Sequence, residues 1–291
     1  MLHRYILHND AIRQATDPVL AAGQVGLLSG WGVFSTLRVQ DGVLFAFERH
    51  WARLTRDAAA FHIALPSDPE AVRLRLLELV EANHARNSTL RLAIVRNNGG
   101  TWAAANARET DVIALTADTK NWGRGVRLAY QPEARHAACN FAGTKILSWA
   151  MNLTWLETAQ RRGFDEVILL NERGEVAECT SANIFAAVGD TVFTPPLASG
   201  CLAGITREVL LNEVHVPGVE IVEKTLLPVD LELAEEVFIT STTRDLLPVV
   251  EIEGRKTGTA SGSVKALSAA FGAYLDTYVA EHKARQRAQP V

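Results

Sequence analysis

Lysine is scarce in this chain of 291 residues. Lys120, Lys145, Lys224, Lys256, Lys265 and Lys283 are the whole set, and arginine carries most of the positive charge. Cysteine is scarcer still. Cys139, Cys179 and Cys201 are odd in number and show no paired spacing, which argues against a disulfide framework and fits reduced thiols in a cytoplasmic protein. No apolar run approaches the ~20 residues needed to span a bilayer, and Met1–Asp10 lacks the apolar core of a signal peptide. A basic excess is missing too: the net charge is −4, so nothing points to nucleic acid or an anionic membrane. The eight histidines form no H-x-x-x-H pattern and no Cys/His cluster, so no catalytic metal is expected. What remains is 48% hydrophobic and 21% charged, enough for one or two globular domains with a sizeable core.

Against that background one stretch stands out, Gly143–Leu211. Lys145 lies between Phe141-Ala-Gly-Thr144 and Ile146-Leu-Ser-Trp-Ala-Met151, with no charged neighbour for several residues. Such a lysine is partly desolvated, which lowers its pKa and frees the amine for Schiff-base chemistry. A lysine snorkelling from a helix start reads the same way. Glu166–Leu170 has the pattern of a buried strand, Asn171–Gly174 that of its turn, and Glu175–Glu178 returns as the partner, with Ser181–Val188 continuing beyond a polar kink. Glu178 at that strand end suits a protonated ring nitrogen; an acid satisfied by Thr180 or Asn183 is the plainer alternative. Gly204 closes a loop, and Ile205-Thr206 open a helix whose free N–H groups and dipole suit a phosphate. An ordinary cap by Thr206 is the alternative there. An amine, a carboxylate and an anion site together are what a protein needs to hold pyridoxal phosphate.

The N-terminal half supplies a possible wall. Gly32–Gln40 reads as a strand, Asp41-Gly42 as a two-residue hairpin turn and Val43–Phe45 as the return. Phe34, Thr36 and Arg38 share one face, with Val33, Ser35, Leu37 and Val39 on the other. The mixed face suits either the edge of a polar cavity or a partly exposed sheet. Glu48–Phe61 is predicted helical, with Arg49, Arg53 and Arg56 recurring along it; such arginines are usually a solvated stripe. Further expectations are a strand at Tyr5–Leu7, helices over Asp68–Ala85, Asn152–Gly163 and Ser263–Gln286, a helical turn at Pro228–Ala234, and strands over Thr89–Arg96, Val112–Thr116, Val126–Tyr130, Val219–Thr225 and Glu236–Thr240. The pattern lapses over Ala117–Arg124, the candidate linker.

From Gly32 to Val250 the chain resembles the fold-type IV pyridoxal-phosphate enzymes. The motifs are Gly32-Val-Phe34-Ser-Thr36-Leu-Arg38, Arg49-His50-Trp-Ala-Arg53-Leu54, Lys145, Glu178-Cys-Thr-Ser-Ala-Asn183-Ile-Phe185, Gly204-Ile-Thr-Arg207 and Thr240-Ser-Thr-Thr-Arg244-Asp-Leu-Leu-Pro248-Val249. The resemblance implies an α/β (α+β) fold. Residues 1–118 would form a small N-terminal α/β domain, 119–124 the linker, and 125–291 a larger pseudo-barrel domain carrying the Schiff-base lysine. It implies a homodimer with its site at the interface, and pyridoxal 5'-phosphate as cofactor. Lys145 and Glu178 would be catalytic, the first as Schiff base and proton shuttle, the second at the ring nitrogen. Arg53, Ile205, Thr206, Ser241 and Thr242 would hold the phosphate, with Asn183 supporting the acid-bearing turn. Phe34, Thr36, Arg38, Arg91, Thr242 and Thr243 would meet the substrate.

Three departures bear on activity. Branched-chain enzymes carry a tyrosine soon after the lysine, where this chain has Ser148-Trp149-Ala150. D-amino-acid enzymes have an Arg-x-His carboxylate trap after the strand ending at Arg96, and Asn97-Asn-Gly-Gly-Thr-Trp-Ala-Ala lacks it. Arg91 falls where branched-chain enzymes place a carboxylate-handling arginine. The expected activity is an aminotransferase, moving an amino group between an amino acid, branched-chain-like, or a primary amine and an α-keto acid. The alternative is 4-amino-4-deoxychorismate lyase, releasing pyruvate and 4-aminobenzoate. A non-catalytic cofactor-binding protein is a third reading, which the intact Lys145, Glu178 and Arg53 set disfavours.

Overall fold

The first part of the chain forms β1 (Leu2–His8), β2 (Ala11–Gln14), α1 (Val25–Ser29), β3 (Gly32–Gln40), β4 (Val43–Leu44), α2 (Phe47–Ala60), α3 (Pro69–Ala82), β5 (Ser88–Arg96) and β6 (Thr110–Ala117). The remainder forms β7 (Val126–Arg135), α4 (Ala150–Arg161), β8 (Glu166–Asn171), β9 (Val176–Cys179), β10 (Asn183–Val188), β11 (Thr191–Thr194), α5 (Ile205–Asn212), β12 (Glu220–Glu223), α6 (Pro228–Leu233), β13 (Glu236–Ser241), β14 (Asp245–Ile252), β15 (Arg255–Lys256) and α7 (Ser263–Ala288). This computed structural model describes residues 1–100, 108–258 and 262–288, the last three by backbone only. Residues 101–104 of the Asn97–Ala104 stretch therefore lie outside the described residues.

The chain divides into two units. Met1–Lys120, Lys145–Trp149 and Thr277–Val291 form the first; Asn121–Thr144 and Ala150–Asp276 form the second. The sequence reading assigned Lys145 to the C-terminal domain. Its segment pairs instead with β3: Ile146 bridges Val33, the Phe34 N–H donates to the Lys145 carbonyl at 3.0 Å, and the Leu147 N–H to the Gly32 carbonyl at 2.9 Å.

The first unit holds a six-stranded antiparallel sheet in the order β2-β1-β6-β5-β3-β4. The β3–β4 turn has Asp41 at φ 52° and Gly42 at φ 82°, the two left-handed residues a two-residue hairpin requires. Helix α3 starts as its composition dictates: the Asp68 carboxylate accepts the N–H groups of Glu70 and Ala71, and Pro69 takes the first helical position. Val33, Leu37 and Val39 of β3 pack with Leu54, Leu76, Leu79, Leu90 and Ile94 in one core. Each such side chain contributes about 1.5–3 kcal/mol by leaving water.

The second unit holds a nine-stranded mixed sheet, β12-β11-β10-β13-β14-β7-β8-β9, with β15 on β14. The β11–β12, β14–β7 and β7–β8 pairs are parallel and the others antiparallel. Every residue of β8 and β9 is buried. That places Glu166 and Glu178 in the interior, where each requires partners. Helix α4 ends as Gly163 expects: it adopts φ 89°, and the Phe164 N–H returns to the Ala159 carbonyl at 3.0 Å. Among the described residues no helix is long and apolar enough to cross a membrane, and no group of acidic, histidine and cysteine side chains could hold a metal.

Candidate active site

In the first unit Lys145 is positioned through its backbone. Its N–H donates to the buried Asp57 carboxylate of α2 at 3.1 Å, and its carbonyl is fixed by Phe34. Gly32 makes the close approach possible, since a Cβ there would stand 2.4 Å from the Leu147 side chain and 2.6 Å from the Ile94 carbonyl oxygen. The Lys145 Nζ lies 4.5 Å from the ring centre of Phe34 and 4.8 Å from that of Trp149. These two rings meet edge to face at 5.5 Å. Trp149 therefore stands beside the lysine.

Phe34, Thr36 and Arg38 follow one another on alternate positions of β3. Thr36 and Arg91 are register partners across β3 and β5, so Phe34, Thr36, Arg38 and Arg91 share a sheet face. The Arg91 guanidinium stacks 3.8 Å from the Phe34 ring centre, and burial lowers its pKa from the ordinary arginine value.

Of the three arginines expected as a stripe on α2, Arg53 is buried while Arg56 is exposed and pairs with Asp57. Arg53 Nη2 donates to Ser35 Oγ at 2.9 Å, and Ser35 Oγ lies 2.8 Å from His50 Nδ1. Burial, with the Arg53 and Lys145 charges, holds His50 well below its usual pKa, so the ring is neutral. The Ser35 hydroxyl accepts from Arg53 and has a proton and a second lone pair left, so it pairs with Nδ1 in either neutral tautomer of the ring. The His50 Nε2 is buried with no protein hydrogen-bond partner. Ser35, His50 and Asp57 were not anticipated. The His50/Arg53/Asp57 spacing of three and four residues was the available signal.

In the second unit Glu178 is positioned through its side chain. Oε1 accepts from Arg135 Nε at 2.9 Å and Oε2 from the Leu202 N–H at 3.0 Å. Neither Thr180 nor Asn183 satisfies it. Thr180 Oγ1 donates to Glu166 instead, while Asn183 Nδ2 donates to the Leu202 carbonyl at 2.8 Å. Arg135 is itself held by Asn152, whose Oδ1 accepts from Nη1 at 3.3 Å and whose Nδ2 donates to the Thr180 carbonyl at 2.9 Å. The neighbouring Cys179 thiol is pushed well above its ordinary pKa, first by burial and then by Glu166, which leaves it inert.

The loop from Leu202 to Gly204 joins this acid to the start of α5. Gly204 is the helix cap and makes no side-chain capping bond, leaving the first N–H groups to other acceptors. A Cβ at Gly204 would lie 2.0 Å from Asn183 Oδ1, so a side chain there would displace Asn183. Ile205 and Thr206 are buried at that helix start. Arg207 turns away to Glu223 and the Pro195 carbonyl. Ser241 at the end of β13, and Thr242 and Thr243 in the turn to β14, are half-buried.

A family profile described as amino-transferase class IV matches residues 32–252. The chain belongs to the class IV aminotransferase family. A Methanocaldococcus jannaschii protein assigned as a branched-chain-amino-acid aminotransferase is 33% identical to this aminotransferase over 235 residues, 79% of this chain and 81% of the relative. A D-alanine aminotransferase of Bacillus licheniformis is 29% identical over 258 residues, 87% of this chain and 90% of the relative. In fold, this transferase matches the branched-chain amino acid aminotransferase of Escherichia coli at a TM-score of 0.85 and 24% identity, covering 94% of each chain. A further branched-chain amino acid aminotransferase, solved with pyridoxamine 5'-phosphate, matches at 0.85 and 23% identity over 94% and 95% of the two chains. A Legionella pneumophila protein assigned as 4-amino-4-deoxychorismate lyase matches at 0.81 and 20% identity over 89% and 96%.

Proposed function

We propose that this aminotransferase binds pyridoxal 5'-phosphate and exchanges the amino group of an amino acid with an apolar side chain, branched-chain-like, for the keto group of an α-keto acid. The observation that carries the reading is Glu178, a buried carboxylate at a strand end with one oxygen on Arg135 and the other on a backbone N–H. Its neighbourhood keeps it in place as the partner of a protonated ring nitrogen. The remaining groups fit the same cofactor. Arg53 is a buried guanidinium, the start of α5 offers uncapped N–H groups beside the buried Thr206 hydroxyl, and the unpartnered His50 Nε2 suits an added polar group.

When bound, the cofactor supplies an electron sink for the pair left as the bond from the amino acid's α-carbon to hydrogen breaks. The protein's own residues do the rest. Lys145 Nζ takes the α-proton and holds it for return, aided by a setting of aromatic faces in which the amine is partly shielded from water. Glu178 holds a proton at the ring nitrogen. Arg53, the Ile205 and Thr206 N–H groups, the Thr206 hydroxyl, Ser241 and Thr242 grip the phosphate, and Asn183 keeps the 202–204 loop in register. Arg91, stacked on Phe34, offers a fixed guanidinium for the substrate carboxylate, while Phe34 and Thr36 line the side-chain wall with Arg38 and Thr243 near it.

The test is a donor screen on purified holoenzyme without acceptor, following the visible band of the bound cofactor. L-leucine, L-glutamate, D-alanine, D-glutamate and both enantiomers of 1-phenylethylamine would be compared. Rapid bleaching by L-leucine, restored by a keto acid, is the expected result; bleaching by a D-amino acid or an amine alone would replace the substrate assignment. Phe34-Ser-Thr36-Leu-Arg38 and Glu178-Cys179 support the second reading, the lyase. No bleaching by any donor, with pyruvate released from aminodeoxychorismate, would establish it.

A further inference from the structure

The connection between β13 and β14 is short. Ser241 and Asp245 are the last register pair, so Thr242, Thr243 and Arg244 alone make the turn, closed by the Arg244 N–H on the Ser241 carbonyl at 3.1 Å. Asp245 has φ 54°, a left-handed conformation that residues other than glycine rarely adopt. A turn of small hydroxyl residues strained in this way needs an anchor to keep one shape.

Arg244 provides it from within the second unit. Its side chain is 5% exposed and pairs at 3.1 Å with Glu166, whose side chain is 1% exposed. Arg244 Nη1 donates back to Ser241 Oγ at 3.3 Å and to the Ser181 carbonyl at 3.0 Å, Nη2 donates to Ser181 Oγ at 3.0 Å, and the guanidinium lies 3.8 Å from the Trp122 ring centre. Glu166 in turn accepts from Thr180 and from Ser181 Oγ at 2.7 Å. One buried guanidinium thus ties the 241–243 turn to the segment that follows Glu178.

Stability alone does not account for this pair. Burying two charges carries a desolvation cost that apolar residues of the same volume avoid, and Arg244 Nε is buried without a protein partner. What the pair supplies is a single geometry. We infer that Arg244 is a positioning residue, holding the Ser241–Thr243 turn from the interior in the shape that grips the cofactor phosphate. The inference rests on the cofactor reading above.

Its test separates the phosphate from the ring. Holoenzyme is stripped of cofactor and titrated, by visible absorbance, with pyridoxal 5'-phosphate and with pyridoxal, which lacks the phosphate; thermal unfolding is recorded alongside. Arg244→Lys keeps a cation for Glu166 but loses the fork. This variant is expected to unfold within a few degrees of the wild type and to bind pyridoxal 5'-phosphate about 10–100-fold more weakly, the loss seen when outer partners of ligating groups are removed. Its pyridoxal affinity should stay unchanged. The charge-neutral pair Glu166→Gln/Arg244→Met carries the same test where the single variant does not fold. Equal losses for both ligands, or no loss for either in a folded variant, would overturn the inference. A wild type that binds both ligands alike would instead overturn the phosphate reading on which it stands.

Discussion

Lys145 and Glu178 are held in opposite ways. The lysine is anchored by its backbone, through Asp57 and the β3 edge, and its amine is bordered by aromatic faces. The glutamate is anchored by its carboxylate, each oxygen fixed by a different donor and one donor fixed again by Asn152. The difference matches what the two groups are asked to do. An amine that takes and returns a proton needs a fixed origin and a mobile tip, whereas a carboxylate that stabilises one charge works best when it does not move.

The sharpest break of this contrast is Lys145→Ala, which removes the mobile tip and leaves its anchors. Turnover should fall by about 10⁴-fold, the upper range for a positioned acid–base group. The visible band of the bound cofactor should vanish in the same preparation. Glu178→Gln keeps the shape and removes the charge. Cofactor should still bind, with the rate down about 10²-fold or more, as for loss of one fixed electrostatic group; near-normal steady-state rates would displace Glu178 from its role.

Asp57→Ala attacks the backbone anchor. Stability should drop by about 1–3 kcal/mol, the usual result of leaving a polar group without its partner, read by denaturant unfolding. Asp57→Asn, which retains an acceptor, should recover much of it. The smallest effect concerns His50. Burial holds its folded pKa well below the ordinary 6.5, while the unfolded chain titrates near that value. Its contribution to stability is therefore complete above pH 6.5 and is lost as pH falls, because the unfolded state then binds the extra proton. The slope approaches ~1.4 kcal/mol per pH unit for one such group. His50→Gln should flatten that slope in unfolding experiments run across the acidic range.

Much of this was legible in the residues. The β3–β4 hairpin follows from Asp41-Gly42, the β8–β9 hairpin from its apolar run and turn, and the α5 start from Gly204-Ile-Thr206. Each is specified by neighbours in sequence. The partners of Glu178 were not legible, because Arg135 is 43 residues away and a backbone N–H has no sequence signature. β14 escaped for a different reason. Pro248 removes a ladder donor and so argues against an inner strand. The fold accommodates it because the pairing of β14 with β7 begins only at Val249. The placement of Lys145 beside β3 was hidden as well, since its pairing partners are over a hundred residues upstream.

Helix α2 has a consequence for how this enzyme can change over time. His50, Arg53 and Asp57 all lie on its buried side, within two turns, and serve Ser35, the proposed phosphate grip and the Lys145 backbone. A single inserted or deleted residue between them would rotate one set by about 100° and slide it by about 1.5 Å against the other. No compensating substitution elsewhere restores that phase. Length variation should therefore be confined to the segments flanking this helix, and the eight residues from His50 to Asp57 should behave as one inherited block.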